Sequence, residues 1–327
     1  MELRPLGRTG VQVSSLCFGT MSFGTTADEA ESGRMFRRCL DAGVNFFDTA
    51  NVYGRGLSET ILGRLMREHR DELVVASKGF GSMSDDPNDR GLSRRNLTRA
   101  VEASLRRLGT DRLDVYYVHH FDPLTPIDEA LRALDHLVQR GLVLYPAVSN
   151  WAAWQIEKAL GISAREQLAR FEVVQPMYSL AKRQVEVEIL PMAQAERLAV
   201  VPYSPLGGGL LSGKYGTDRR PENGRLIENA MYASRYGGER YLRVADALTA
   251  YAREQDVHPA TLAVAWVRSH PAVTAPIVGA RDVAQLEPSL AAADLVMAPE
   301  MRAELSALTP APPPATDRSE ERTPAGS

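Results

Sequence analysis

Eight short runs of β-branched and aromatic residues recur along this chain, each followed by a stretch with helical spacing, and that rhythm restricts the fold more than any other feature. The runs are SSLCFGT, VNFFDTA, ELVVASK, LDVYYVHH, LVLYPAVSN, FEVVQPM, LAVVPYS and VTAPIVGA. Strands so nearly continuous in apolar residues are parallel strands, covered by helices outside and filled by packed side chains inside. Eight of them predict a closed (β/α)8 barrel of the TIM type rather than an open sheet. The clearest helix is predicted over residues 93–108. Ser93 stands at its N-cap, Leu97, Val101, Leu105 and Leu108 share one face, and Gly109 follows the last turn.

Three segments fall outside the rhythm. The opening LRPLGRTGVQVS reads as two short strands around a turn at Thr9-Gly10, a hairpin placed to plug the barrel's bottom. Residues 214–238 form a long polar, glycine-containing insertion after the seventh strand, where barrels place lids and binding surfaces. From Thr309 the chain is rich in Pro, Ser and charge, and a disordered tail is expected there. One barrel domain over residues 1–308 and a tail over 309–327 follow. The 44% hydrophobic content of 327 residues is ample for such a core.

Charge excludes several classes of partner. The 38 basic and 41 acidic residues are spread along the chain and leave a net charge of -3, so no concentrated field attracts nucleic acid or anionic lipid. No apolar run approaches the roughly 18 residues of a membrane span, and the N-terminus lacks a signal peptide's apolar region; a soluble, cytoplasmic protein is expected. Cys17 and Cys39 are too few for a disulfide framework. The assembly state is not written in the sequence.

The stretch PLGGGLLSGKY, residues 205–215, imitates a nucleotide triphosphatase loop, because Gly208 to Lys214 satisfies GxxxxGK. Tyr215 stands where a Ser or Thr hydroxyl should bind magnesium. Nucleotide hydrolysis is therefore disfavoured.

Barrel active sites lie at the C-terminal ends of the strands. Here those ends carry Asp48 with Tyr53 just beyond it, Ser77-Lys78, His119-His120, Ser149-Asn150, Gln175, Tyr203-Ser204 and Gly279-Ala280-Arg281. Adjacent strand residues point to opposite faces, so the two histidines are not expected to enter the mouth together, and no metal site is assigned. A Tyr hydroxyl has an ordinary pKa of about 10 and is a poor acid at neutral pH. An ammonium in reach lowers that value, and a carboxylate keeps the ammonium charged; Lys78 and Asp48 have the right types to do this for Tyr53. A histidine at the fourth strand end can orient a carbonyl oxygen beside the phenol. Such a site protonates an oxygen as negative charge develops on it, and the electron pair must come from a cofactor.

The segments GVNFFDTANVYGRGLSE, VVASKGF, LSRRNLTRAVEASLRRLGTDRLDVYYVHHFDP, AVSNW, VVPYSPLGGGLLSGKY and IVGARDVAQLE together resemble the aldo-keto reductase superfamily, over nearly the whole length to about residue 308. The resemblance implies a (β/α)8 barrel that binds NADPH without a Rossmann domain and reduces aldehydes or ketones to alcohols. It implies Tyr53 as general acid, Lys78 and Asp48 as its tuning pair and His119 as the carbonyl-orienting residue. Ser149, Asn150 and Gln175 match positions that hold the nicotinamide carboxamide, and Tyr203 the ring that stacks on it. Gly19, Thr20 and Met21 fall on the cofactor side of the first strand, and Asp48 counts among the cofactor contacts as well. Ser204, Pro205, Leu206, Gly208, Leu210 and Lys214 match the loop along the pyrophosphate, and Gly279, Arg281 and Gln285 the segment for the 2'-phosphate and adenosine. Met21, Phe23, Val52, Phe80, Phe121, Trp151 and the 214–238 insertion are the candidate substrate walls, pointing to an apolar, medium-sized carbonyl compound. A second reading is an NADPH-binding redox sensor or regulatory subunit with little turnover, as potassium-channel β-subunits of the superfamily illustrate.

Three departures carry expectations of their own. Pro288-Ser289 replaces a Glu-Asn pair that contacts adenine, and a proline inside the eighth helix costs about 3 kcal/mol unless the helix kinks or begins late. Arg281 replaces a common Ser and can grip phosphate with two donors, which favours NADPH over NADH. Pro146 cannot donate a ladder bond, which predicts a bulge just before Ser149.

Overall fold

The computed structural model describes residues 1–316. Two strands, β1 (Leu3–Pro5) and β2 (Gln12–Ser14), pair antiparallel as the N-terminal hairpin. Eight parallel strands follow: β3 (Cys17–Gly19), β4 (Phe46–Asp48), β5 (Val74–Gly79), β6 (Leu113–Val118), β7 (Val143–Ser149), β8 (Val173–Gln175), β9 (Ala199–Val200) and β10 (Ile277–Val278). Their order is β10-β3-β4-β5-β6-β7-β8-β9. Thr274 N–H donates to Val200 O at 2.8 Å and Ile277 N–H to Pro202 O at 2.8 Å, which joins the two ends of the sheet and closes the barrel.

Alternation along the strands divides the apolar residues into two cores. Phe46, Val74, Ala76, Val115, Tyr117, Ala147, Val173 and Ala199 fill the interior, while Phe47, Val75, Tyr116, Val148 and Val174 meet the helices. Leu6 and Val13 of the hairpin region complete the interior cluster. Gly7 lies so close to Arg197 O and Ala199 N that an added Cβ would sit 2.9 Å from each, which places the hairpin under the N-terminal strand ends. The plug expected from sequence is therefore in place.

The helix predicted at 93–108 forms over Arg94–Leu108: Ser93 Oγ accepts from Asn96 N–H, and Gly109 ends it at φ 64°. Its face of Leu97, Val101, Leu105 and Leu108 is buried. Pro146 makes no bulge, because β7 keeps one register against both β6 and β8. Its carbonyl accepts from Glu172 N–H at 2.9 Å, so the missing donor also faces the β8 side, just below Val173 where that strand begins. Pro288 does sit inside a helix, Val283–Leu290, which gives way after eight residues to a 3-10 turn at Ala291–Ala293.

The start of the expected tail is packed rather than free. Thr309 is buried and its hydroxyl accepts from Arg183 Nη1 at 3.2 Å. Residues 317–327 of that tail lie outside the described residues. Among the described residues no helix is long and apolar enough to cross a membrane.

Candidate active site

Inward alternation places Asp48 and Lys78 at the top of the interior core: Phe46 faces in and Phe47 out before Asp48, and Ala76 faces in before Lys78. Ser77, facing out, donates instead to the buried Glu59 at 2.5 Å. Lys78 is fully buried, and its ammonium pairs with Asp48 Oδ1. It also donates to Thr49 O at 2.8 Å and to the Tyr53 hydroxyl at 3.3 Å. Gln175 Nε2 donates to Asp48 Oδ2 at 2.8 Å, so both carboxylate oxygens are engaged as acceptors. Tyr53 opens a 3-10 turn, Tyr53–Gly56, whose Gly54, Arg55 and Gly56 all take positive φ. That tight reversal lets the ring turn back over Lys78, whose Nζ lies 4.9 Å from the ring centre.

The protonation states follow from burial and these partners. Burial raises the Tyr53 phenol above its ordinary value, and the Lys78 charge offsets only part of that rise. The expected acidified phenol is thus corrected: the pocket keeps the proton on Tyr53. Burial alone would lower Lys78, but Asp48 and Tyr53 outweigh it and hold the ammonium charged above its ordinary range. Burial raises Asp48, opposed by the donors Lys78 and Gln175. His119 is pulled down to about 2 by burial, then by the Lys78 charge and His120, so it is a neutral imidazole at working pH.

The two histidines share the mouth, contrary to the sequence expectation. β6 ends at Val118, and once the chain leaves the extended conformation the alternation no longer applies. Their rings stack at 5.0 Å with 23° between planes, and both line the cavity. His119 also meets Tyr53 edge-on at 6.2 Å. Beyond them Asn150, at φ 59°, donates through Nδ2 to His119 O at 2.9 Å and accepts from the Tyr203 hydroxyl at 2.7 Å. Ser149 Oγ donates to Gln175 O at 2.9 Å. Burial pushes the Tyr203 phenol up to about 12, so its ring is neutral.

One cavity of about 970 Å³ runs from this centre to the helix Val283–Leu290. Of the residues matched to cofactor contacts, Gly19, Met21, Asp48, Ser149, Asn150, Gln175, Tyr203, Ser204, Pro205, Leu206, Gly208, Lys214, Gly279, Arg281 and Gln285 line it. Thr20 and Leu210 do not: Thr20 is buried, its hydroxyl bound to Ser58 and to Asp48 O, and Leu210 belongs to the outer core. Val52 lines the cavity, whereas Phe23 is fully buried against Phe18. Phe80 packs on His120 and Phe121 meets Trp151 edge-on; none of the three lines this cavity, although Trp151 lines a smaller one of about 210 Å³ together with Asn150 and Tyr203. An aromatic beside a strand end carries no sequence signal for which layer it joins.

The glycine loop after β9 is not a triphosphatase cradle. Gly207–Ser212 forms a 3-10 turn with Gly208 and Gly209 at φ 68° and 102°, and no α-helix follows until Arg225–Glu228. Tyr215 is buried. The insertion folds over this loop through a second helix, Ala230–Tyr236: a Cβ on Gly208 would sit 2.5 Å from the Tyr232 ring. Glu228 of the insertion reaches Arg281 at 2.7 Å. His120 and Pro288 line the cavity although no binding role was expected of either, and Tyr232 and Arg235 line it from the insertion, within which the sequence did not distinguish them. Their only signal in the sequence is membership of the long insertion or adjacency to a matched motif.

A closed (β/α)8 barrel with a Tyr-Lys-Asp cluster and a neutral histidine at its C-terminal mouth has the architecture of a barrel oxidoreductase. The chain belongs to the aldo/keto reductase family, whose model matches residues 15–309. It is 38% identical to an uncharacterized oxidoreductase, YrpG, of Bacillus subtilis, over 95% of this chain and 97% of that protein. It is 36% identical to a probable voltage-gated potassium channel subunit beta of Oryza sativa, covering 97% and 99% of the two chains. Norsolorinic acid reductase of Aspergillus flavus is 33% identical, over 92% of this chain and 79% of its own.

Proposed function

We propose that the protein reduces an aldehyde or ketone to an alcohol, with NADPH as hydride donor and Tyr53 as proton donor. The observation that carries this reading is the Tyr53 hydroxyl 3.3 Å from a fully buried Lys78, itself paired with Asp48. The residues fit the cofactor. Lys214 and Arg281 supply cations, the positive-φ glycines at 208 and 209 bring backbone close, and Tyr203 offers a neutral ring beside the Asn150 amide, with Gln175 in the same cavity. The bound nicotinamide supplies the hydride.

This chain's own groups do the rest. Neutral His119 donates to the carbonyl oxygen and holds it near the Tyr53 hydroxyl. As charge builds on that oxygen, it becomes more basic than the phenolate, and the proton leaves Tyr53. The nearby ammonium then stabilises the phenolate left behind. A raised phenol suits this role, because the proton is present at every neutral pH and moves only when the oxygen demands it. The test is a fluorescence titration with NADPH and NADH, followed by turnover across aldehydes, quinones and keto-sugars. Absence of NADPH binding would overturn the reading.

Arg281 bears on the choice of cofactor. Its partner Glu228 is a carboxylate that a 2'-phosphate would have to displace. Glu228→Gln is expected to tighten NADPH severalfold relative to NADH, as measured by the same titration. A second reading, a regulatory subunit that binds NADPH with little turnover, is favoured by the similarity to proteins named as channel β-subunits. Tight cofactor binding with negligible rates across the whole panel would support it.

A further inference from the structure

Among the described residues Arg235 is a cation without an ion-pair partner. It projects from the helix Ala230–Tyr236, lines the cavity with His120 and Tyr203, and is partly buried. Among the described residues it makes no ion pair and no side-chain hydrogen bond; of the cavity's other charged groups only Lys214, matched to the pyrophosphate loop, is likewise unengaged. Asp48 is held by Lys78 and Gln175, Asp282 accepts from Gln285, Arg281 pairs with Glu228, and Arg225 lies 5.6 Å over the Tyr232 ring. Asp282, capped only by the neutral amides of Gln285, is the one cavity carboxylate without a cation among the described residues, and it makes no ion pair or hydrogen bond with Arg235.

Its helix packs on the phosphate loop through Tyr232, but Arg235 also acts on the reaction centre. Its charge is felt at His120 and Tyr203, which line the cavity at the reaction centre, and His120 is stacked on His119. A guanidinium drawn partly out of water gains most from an anion that fills its planar fork with two acceptor oxygens. We infer that Arg235 binds a carboxylate of the substrate, making the substrate a carbonyl compound that carries an anionic group beyond its reacting carbon. This rests on the carbonyl-reductase reading of the site and amends the apolar substrate expected from sequence.

The test compares two aldehydes of nearly equal shape, 4-carboxybenzaldehyde and neutral 4-nitrobenzaldehyde, in the wild type, Arg235→Gln and Arg235→Lys. The wild type should favour the carboxylate in kcat/KM, and Arg235→Gln should lower that preference by about tenfold to a hundredfold, with Arg235→Lys between. Calorimetric titration of benzoate, with and without NADP+, should show the same loss of affinity without any turnover. A preference that does not depend on position 235 overturns the inference, as does a fall in NADPH affinity as large as the fall for benzoate. If benzoate binding needs Arg235 while no aldehyde is reduced, the anion site stands and the reductase reading fails. If both aldehydes are reduced with no preference for the carboxylate, the anion site fails and the reductase reading stands.

Discussion

Tyr53→Phe is expected to lower kcat for carbonyl reduction by at least about 10²–10⁴-fold, the usual contribution of a positioned general acid. The substitution removes one oxygen and keeps the ring, so the edge-on contact with His119 at 6.2 Å survives. Lys78 loses the acceptor at 3.3 Å but keeps Asp48 and Thr49 O, and the fold has no reason to change. NADPH binding should be nearly intact, which a fluorescence titration checks alongside NADPH oxidation with 4-nitrobenzaldehyde. The pH dependence has a definite sign. Tyr53 must be protonated to donate and its phenol is raised by burial, so the reduction rate should hold across neutral pH and fall only above the ordinary tyrosine range. His119, at about 2, should leave no inflection between pH 5 and 8. A variant with most of the wild-type rate would remove Tyr53 from the chemistry.

Lys78→Met should destabilise the protein by about 3–5 kcal/mol, the scale seen when one member of a buried ion pair is removed. The thioether fills the stem's volume, but Asp48, 2% exposed, keeps only the Gln175 donor for its charge. Asp48 would then take up a proton or draw water into the core. Urea denaturation measures the loss. The double variant Lys78→Met/Asp48→Asn should recover much of it, because no unpaired charge remains, while still reducing carbonyls poorly. Equal stability of the single variant and the wild type would show that the pair is not the buried charge system described here.

The barrel was legible because its signals repeat: each strand run and each amphipathic helix such as Arg94–Leu108 follows from local periodicity. The site's centre was legible for a related reason. Period-two alternation fixes which way Asp48 and Lys78 point, so their meeting needs no knowledge of loops. What failed lies beyond the strand ends. His120 turns into the mouth because the chain has left the strand, and Phe23, Phe80, Phe121 and Trp151 lie off the main cavity according to packing that no window of sequence contains. The Tyr53 phenol was expected to be acidified by Lys78. Burial, a three-dimensional quantity, proved the larger influence. Pro146 failed to bulge because β8 begins one residue too late to need its N–H, which depends on a neighbouring strand rather than on its own.

The most direct test follows an isotope. NADPH deuterated at the transferable C4 position is incubated with the protein and 4-nitrobenzaldehyde in ordinary water, and the alcohol is examined by NMR. One deuterium on the carbinol carbon, with a proton from solvent on its oxygen, is the predicted outcome. An alcohol without deuterium on that carbon would contradict hydride delivery to a carbonyl whose oxygen is protonated by Tyr53.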